Sequence, residues 1–264
     1  MGMLLVRDTT LYFQEVGKGD ALLFIHGMCG DANTWDGQVN MLAGGFRCVT
    51  YDRRGHTRSP WGRIPHPSVQ VHADDAAELI AGLGLAPAII VGSDRGAVIG
   101  LDVVRRYRGL IRGAVLSAPT LDSLDPSGAR EFWAPILTAV RAAPTLREAV
   151  DAFFRAAGGE SWGRSPEAPR EAARANHAAL RSALTPPYAL APTDLDATSV
   201  PLRLVIGARS AAFLRRVATL VTHRLPNADL VQIDGAGYAC YLEQPGDFGE
   251  AVRSFAQRVT GALA

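Results

Sequence analysis

Three cysteines, a single lysine and no long apolar run set out what this 264-residue chain is not. Cys29, Cys48 and Cys240 are an odd, scattered set with no close-spaced pair, which excludes a disulfide framework and a cysteine-built zinc site. A formal net charge of +1 removes the electrostatic case for nucleic acid or an acidic membrane surface. Lys18 is the only lysine; the arginine excess reflects a GC-rich coding sequence and carries no functional weight. Residues 1–16 alternate like strands and lack the charged-then-apolar layout of a signal peptide. No apolar run approaches the length of a membrane span. The expectation is a soluble, cytoplasmic protein without cofactor or metal, whose partner is a small organic molecule and neither nucleic acid nor membrane. Nothing in the sequence speaks to its oligomeric state.

What is present is apolar content of 48%, enough for one sizeable core. Segments 4–7 and 11–16 read as a hairpin, and 21–25 as a wholly apolar strand of the kind covered on both faces. Further strands are expected at 46–51, 88–91, 112–117, 202–206 and 229–233. Helices are expected at 33–42, 69–83, 97–107, 211–225 and from 248 onward. Between 120 and 192 the texture changes to helical patterns at 130–142, 146–157 and 169–184, separated by Gly and Pro clusters. Strands alternating with helices imply a largely parallel sheet with helices on both faces. The fold class is therefore α/β, with 1–119 and 193–264 forming the core and 120–192 a helical lid inserted after the sixth strand.

The chemistry-bearing stretch is Ile89-Ile90-Val91-Gly92-Ser93-Asp94-Arg95-Gly96-Ala97. A short β-branched run feeds a Gly-x-Asp-x-Gly turn and then a helix, which is the sequence form of a nucleophile elbow. The two glycines suit the close passage of strand and helix, and Asp94 stands at the tip. Burial opposes its charge, while the helix N-terminus and Arg95 favour it.

Taken with His26-Gly27, Trp35, Tyr51-Asp52-Arg53-Arg54-Gly55-His56, Gly235-Ala236-Gly237-Tyr238 and Leu242-Glu243-Gln244-Pro245, the elbow resembles the α/β-hydrolase superfamily over essentially the whole length. Aspartate at the tip is similar to epoxide hydrolases and haloalkane or haloacid dehalogenases, and Asp94-Arg95-Gly96-Ala97 is most like the fluoroacetate type. The resemblance implies backbone donors for an oxyanion or halide from Met28 and Arg95. It also implies a catalytic histidine at 238 and an orienting acid near 210. This chain has Tyr238 and Ser210 there. A phenol with pKa about 10 does not replace imidazole as a base near neutrality. Asp122 and Asp125 are alternative acids, better read as helix-capping carboxylates.

His26 and His56 fall in loops where the family uses them structurally, and His177 in the lid is the histidine placed to reach the pocket from above. Ser93, Cys29, Trp35, Phe132, Trp133, Trp162 and Tyr241 are candidate pocket residues, and core packing explains the aromatics equally well. Cys240 also flanks the expected pocket, read as a small buried apolar residue. Three readings follow. The first is non-hydrolytic acid/base chemistry (cyclisation, isomerisation, epimerisation or elimination), by analogy with superfamily members of secondary metabolism that have degraded triads, with Asp94 as acid/base and Tyr238 as its polar partner. The second is an epoxide hydrolase or dehalogenase with a relocated base. The third is a ligand-binding protein.

Overall fold

In a computed structural model of the chain, residues 1–64, 66–159, 161–183, 188, 190–196 and 198–261 are described. The strands are β1 (Gly2–Val6), β2 (Thr9–Val16), β3 (Ala21–Ile25), β4 (Arg47–Tyr51), β5 (Ala88–Ser93), β6 (Ile111–Ser117), β7 (Leu202–Gly207) and β8 (Ala228–Ile233). They form one sheet in the order β1-β2-β4-β3-β5-β6-β7-β8. β1 and β2 pair antiparallel, as do β2 and β4, and every later pairing is parallel. The order reverses beside β3 and β5, and their ends lie level, Ile25 opposite Gly92. Ligands bind at such a switch point in open α/β sheets.

β3 and β5 are buried along their full length, as their unbroken apolar sequences require. Alternate side chains serve opposite faces. Leu23, Ile25 and Ile90 join a core with α2 (Val69–Gly82), α3 (Arg95–Arg106) and α10 (Ala212–Arg224). Leu22, Phe24, Ile89 and Val91 join a second core with α1 (Asp36–Leu42) and α12 (Pro245–Thr260). The sheet therefore carries helices on both faces.

Between β6 and β7 the chain runs through α4 (Pro126–Ala142), α5 (Leu146–Gly158), α6 (Ser161–Arg164), α7 (Glu167–Ala175), α8 (His177–Ala183) and α9 (Pro192–Asp196). α11 (Cys240–Glu243) precedes α12. Two expected bounds differ for physical reasons. The helix expected from 130 begins at Pro126, because Asp125 accepts the Gly128 amide at 3.0 Å and proline occupies the first turn. The single helix expected over 169–184 ends its first part at Asn176, whose side chain is drawn to the core instead of pointing to solvent; its last expected residue lies outside the described ones. No helix among the described residues is long and apolar enough to cross a membrane.

Candidate active site

The turn after β5 is as tight as its glycines imply. A Cβ on Gly96 would stand 2.1 Å from the Ile25 carbonyl oxygen, and one on Gly92 would stand 2.5 Å from that of Gly96. Asp94 has φ 53° and ψ −121°, a strained conformation for a residue with a side chain. Its backbone is held on both sides, with Asp94 N donating to Ser117 O at 2.9 Å and Asp94 O accepting from Ala97 N at 3.0 Å. The turn thus fixes the carboxylate at the carboxyl end of the sheet.

One carboxylate oxygen is engaged: Asp94 Oδ2 accepts the Met28 amide at 2.8 Å. Gly27 permits the approach, since a Cβ there would meet Oδ2 at 3.0 Å. The loop that supplies this amide is itself fastened. Asn176, buried between α7 and α8, donates to Cys29 O at 3.2 Å and Gly30 O at 3.1 Å and accepts from Thr57 N at 2.8 Å. Asp52 supports it from below by accepting the Ala32 amide at 2.8 Å.

Asp94 Oδ1 is buried and without a partner, and so is Tyr238 Oη. The two groups interact across the site, but no bond of acceptable length and angle closes between them. Burial first, and the Asp94 charge second, raise the phenol well above its ordinary range, so Tyr238 keeps its proton. The loop around Tyr238 is held by side chains outside it. Glu243 accepts the amides on either side, Gly237 N at 3.1 Å and Ala239 N at 3.2 Å. Ser210 Oγ donates to Gly237 O at 3.0 Å. The serine in the acid position therefore anchors backbone.

These groups open into a cavity of about 400 Å³ under the helices between β6 and β7. Phe154 and Trp162 stack in its wall at 4.3 Å, and Tyr241 lines it too.

A model of the "Alpha/beta hydrolase family" matches residues 22–251. The chain belongs to that family. It is 39% identical over 121 residues to the "Uncharacterized hydrolase YraK" of Bacillus subtilis, covering 46% of this chain and 45% of that protein. It is 35% identical over 111 residues to the "Non-heme haloperoxidase" of Rhodococcus erythropolis, covering 41% and 40%. The chain thus spans less than half the length of either relative. A thermophilic esterase from Thermogutta terrifontis superposes with a TM-score of 0.79 at 23% identity, covering 98% of this chain and 99% of that one, which is a likeness of fold.

Against the pattern of an α/β hydrolase, the candidate residues divide cleanly. Met28, Cys29, Ser93, Asp94 and Tyr238 meet at the cavity. His26, Arg95, Ser210, Trp35, Trp133 and His177 lie outside its lining. Trp35 is a correction: it is fully buried against Phe24, Tyr241 and Phe248, filling the second core. Trp133 instead donates its indole N–H to Asp122 at 3.0 Å, and Phe132 packs on Phe213. Asp125 caps α4 and pairs with Arg216 at 2.8 Å.

No histidine among the described residues lines the cavity. His177 Nδ1, at the start of α8, faces Arg174 O in the last turn of α7 at 2.9 Å. His26, His56 and His72 are buried beside Arg53, and desolvation, followed for each by the Arg53 charge, holds all three well below the ordinary imidazole range. They are neutral struts; His26 Nε2, for example, accepts the Arg53 amide at 3.0 Å. Arg53 pairs with no carboxylate among the described residues, and burial lowers it to about 10. Arg95 is half-buried and without an ion pair among the described residues; burial lowers it from the ordinary guanidinium range, and the Asp94 and Asp122 charges offset only part of that. Burial pushes the Cys29 thiol up to about 12 and that of Cys240 to about 11, which makes both poor nucleophiles. No group of three metal-binding side chains occurs among the described residues.

Asp31, Asp36 and the bracing role of Glu243 were not read from the sequence. Glu243 carried a signal, since it sits in the closing motif five residues after Tyr238.

Proposed function

We propose that this α/β hydrolase is an enzyme of non-hydrolytic acid/base chemistry on a small organic substrate, with Asp94 as the proton acceptor and Tyr238 as the hydrogen-bond donor. One observation carries the reading. Asp94 Oδ1 and Tyr238 Oη are buried, unpartnered and on the same cavity, an acceptor and a donor that a ligand would satisfy together. Asp94 Oδ1 takes a proton from the substrate, and Tyr238 donates a hydrogen bond to the oxygen that gains charge. Returning the proton at another atom gives isomerisation, and returning it to the opposite face of the same carbon gives epimerisation. Attack of the deprotonated atom on an electrophile in the same molecule, which takes up the proton, gives cyclisation, and loss of a departing group that takes the proton gives elimination. None of these steps uses an activated water, and no histidine among the described residues is in the lining to activate one. The helices between β6 and β7 serve as the lid that keeps the proton transfer dry.

A second reading rests on the same geometry. With Oδ2 held by the Met28 amide, Oδ1 is also placed as a nucleophile toward an epoxide or alkyl halide. The aspartyl ester would then persist for lack of a base to release it. The hydrolase names of the relatives favour a hydrolytic outcome, and the Tyr238 site opposes it.

Two probes separate the readings. With 5-nitrobenzisoxazole, a base removes the ring C–H proton, the N–O bond breaks and a nitrophenolate forms. Turnover that Asp94→Asn abolishes supports the acid/base reading; turnover unchanged by Asp94→Asn overturns it. Intact mass after incubation with styrene oxide reports the second reading, by a stable adduct on Asp94.

A further inference from the structure

Among the described residues, the charged side chains that line the cavity are all of one sign: Asp31, Asp36 and Glu243 together with Asp94, with no lysine, arginine or histidine. Arg53 and Arg95, the cations whose fields reach Asp94, stand outside the lining. Glu243 is engaged by the Gly237 and Ala239 amides and by Arg209 at 3.5 Å, and Asp31 accepts the Asn33 amide at 3.0 Å and the Thr57 hydroxyl at 3.4 Å. Asp31 and Asp36 have no ion pair among the described residues. Arg58, whose charge both of them feel, is held by Asp52 at 2.7 Å and also lies outside the lining.

The second observation is independent of that cluster. Asp94 and Tyr238 both line this cavity and are 5% and 7% exposed, and each carries a buried polar atom, Oδ1 and Oη, that closes no hydrogen bond of acceptable length and angle. Unpaired buried polar atoms are costly, so these two mark where a ligand completes the site. Phe154, Trp162 and Tyr241 add aromatic faces, which attract cations through their ring quadrupoles. A carboxylate-bearing substrate would meet three further carboxylates here and no cation among the described lining residues. An ammonium group would meet carboxylates and aromatic faces.

We infer that the substrate is an organic amine, bound as its ammonium cation at Asp31 and Asp36 with its reacting end at Asp94 and Tyr238, and that organic acids are excluded. This deepens the proposed function and rests on it in taking this cavity as the substrate site. It turns the specificity away from the haloacids that the Asp94-Arg95 sequence brings to mind.

The test uses one skeleton with three end groups, 4-phenylbutylamine, 4-phenylbutan-1-ol and 4-phenylbutyrate, titrated calorimetrically into the full chain near neutrality. The amine binds at least about tenfold more tightly than the alcohol, a difference on the scale of one well-placed charge interaction, and the acid binds most weakly. Asp31→Asn and Asp36→Asn, which keep shape and capping capacity, each shrink the advantage of the amine over the alcohol. An acid that binds as well as the amine overturns the inference. So does an amine no better than the alcohol, or a preference that survives the double variant. The two levels fail separately. Nitrobenzisoxazole turnover indifferent to Asp94→Asn sinks the reaction while leaving a measured amine preference standing. Asp94-dependent turnover without amine preference sinks only the substrate class.

Discussion

The elbow at 92–96 and the loop at 235–239 face one cavity from opposite sides, and they have been treated differently. At the elbow both backbone and reactive group follow the α/β-hydrolase pattern: two obligatory glycines, a strained tip and a side chain fed into the pocket. Across from it the backbone is equally well secured, by Glu243, Ser210 and the close contact of Gly207 with Gly237 O, which leaves no room for a Cβ. The side chain at 238 is a phenol where the resemblance implies an imidazole. Scaffold and chemistry are thus separable: the forces that place residue 238 are backbone hydrogen bonds, indifferent to what its side chain does.

The largest way to break the comparison is at the elbow. Asp94→Asn keeps shape and the Met28 contact and removes the base, and turnover of 5-nitrobenzisoxazole is expected to fall by about 10²–10⁴-fold, measured as initial rates. Next is the brace of the opposite loop. Glu243→Ala strips two backbone amides of a charged acceptor and is expected to cost about 2–3 kcal/mol in denaturant unfolding. Glu243→Gln, which keeps an acceptor, should recover part of that loss.

The third test sharpens what lies behind the elbow. His26, His56 and His72 are held neutral when folded, so the unfolded chain binds more protons below the ordinary histidine pKa. Their contribution is complete above about pH 6.5 and is lost as the pH falls below it, by about 1.4 kcal/mol per pH unit for each residue that stays neutral. The raised carboxyls of Asp31, Asp75, Asp102 and Asp122 act in the opposite sense, so the histidine part is read as a difference. His72→Leu should flatten the acid limb of the stability curve by one such increment; an unchanged slope contradicts it. The smallest effect is expected at the phenol. Tyr238→Phe removes a hydroxyl that closes no hydrogen bond of acceptable length and angle in the folded protein, so stability should move by less than about 0.5 kcal/mol while nitrobenzisoxazole turnover drops about tenfold.

The fold was legible where the sequence obeys a single constraint. β3 and β5 are apolar throughout because both faces are covered, and the elbow announces itself because only glycine fits twice within five residues. Asp94 and Tyr238 were legible as a facing pair because motifs fix their places along the chain. The charge of the cavity was not. Asp31 and Asp36 flank a short 3-10 turn at Ala32–Trp35 and read as ordinary capping residues, and their meeting with Glu243 depends on segments two hundred residues apart. Trp35 shows the reverse. An aromatic beyond the oxyanion loop suits a pocket or a core, and only the packing of α12 decides for the core. The break of the helix at Asn176 is likewise tertiary, set by carbonyls of residues 29 and 30.

That asparagine has a consequence for how the cavity can admit anything. Cys29 and Gly30, which Asn176 grips, directly follow Met28, whose amide holds Asp94 Oδ2. Helix α7 and the Asp94 carboxylate are therefore tied through one loop, so displacing α7 would pull on the amide that holds Asp94 Oδ2. Asn176→Ala uncouples them: entry becomes easier while the carboxylate loses its fixed bearing, which turnover reads as a fall in kcat.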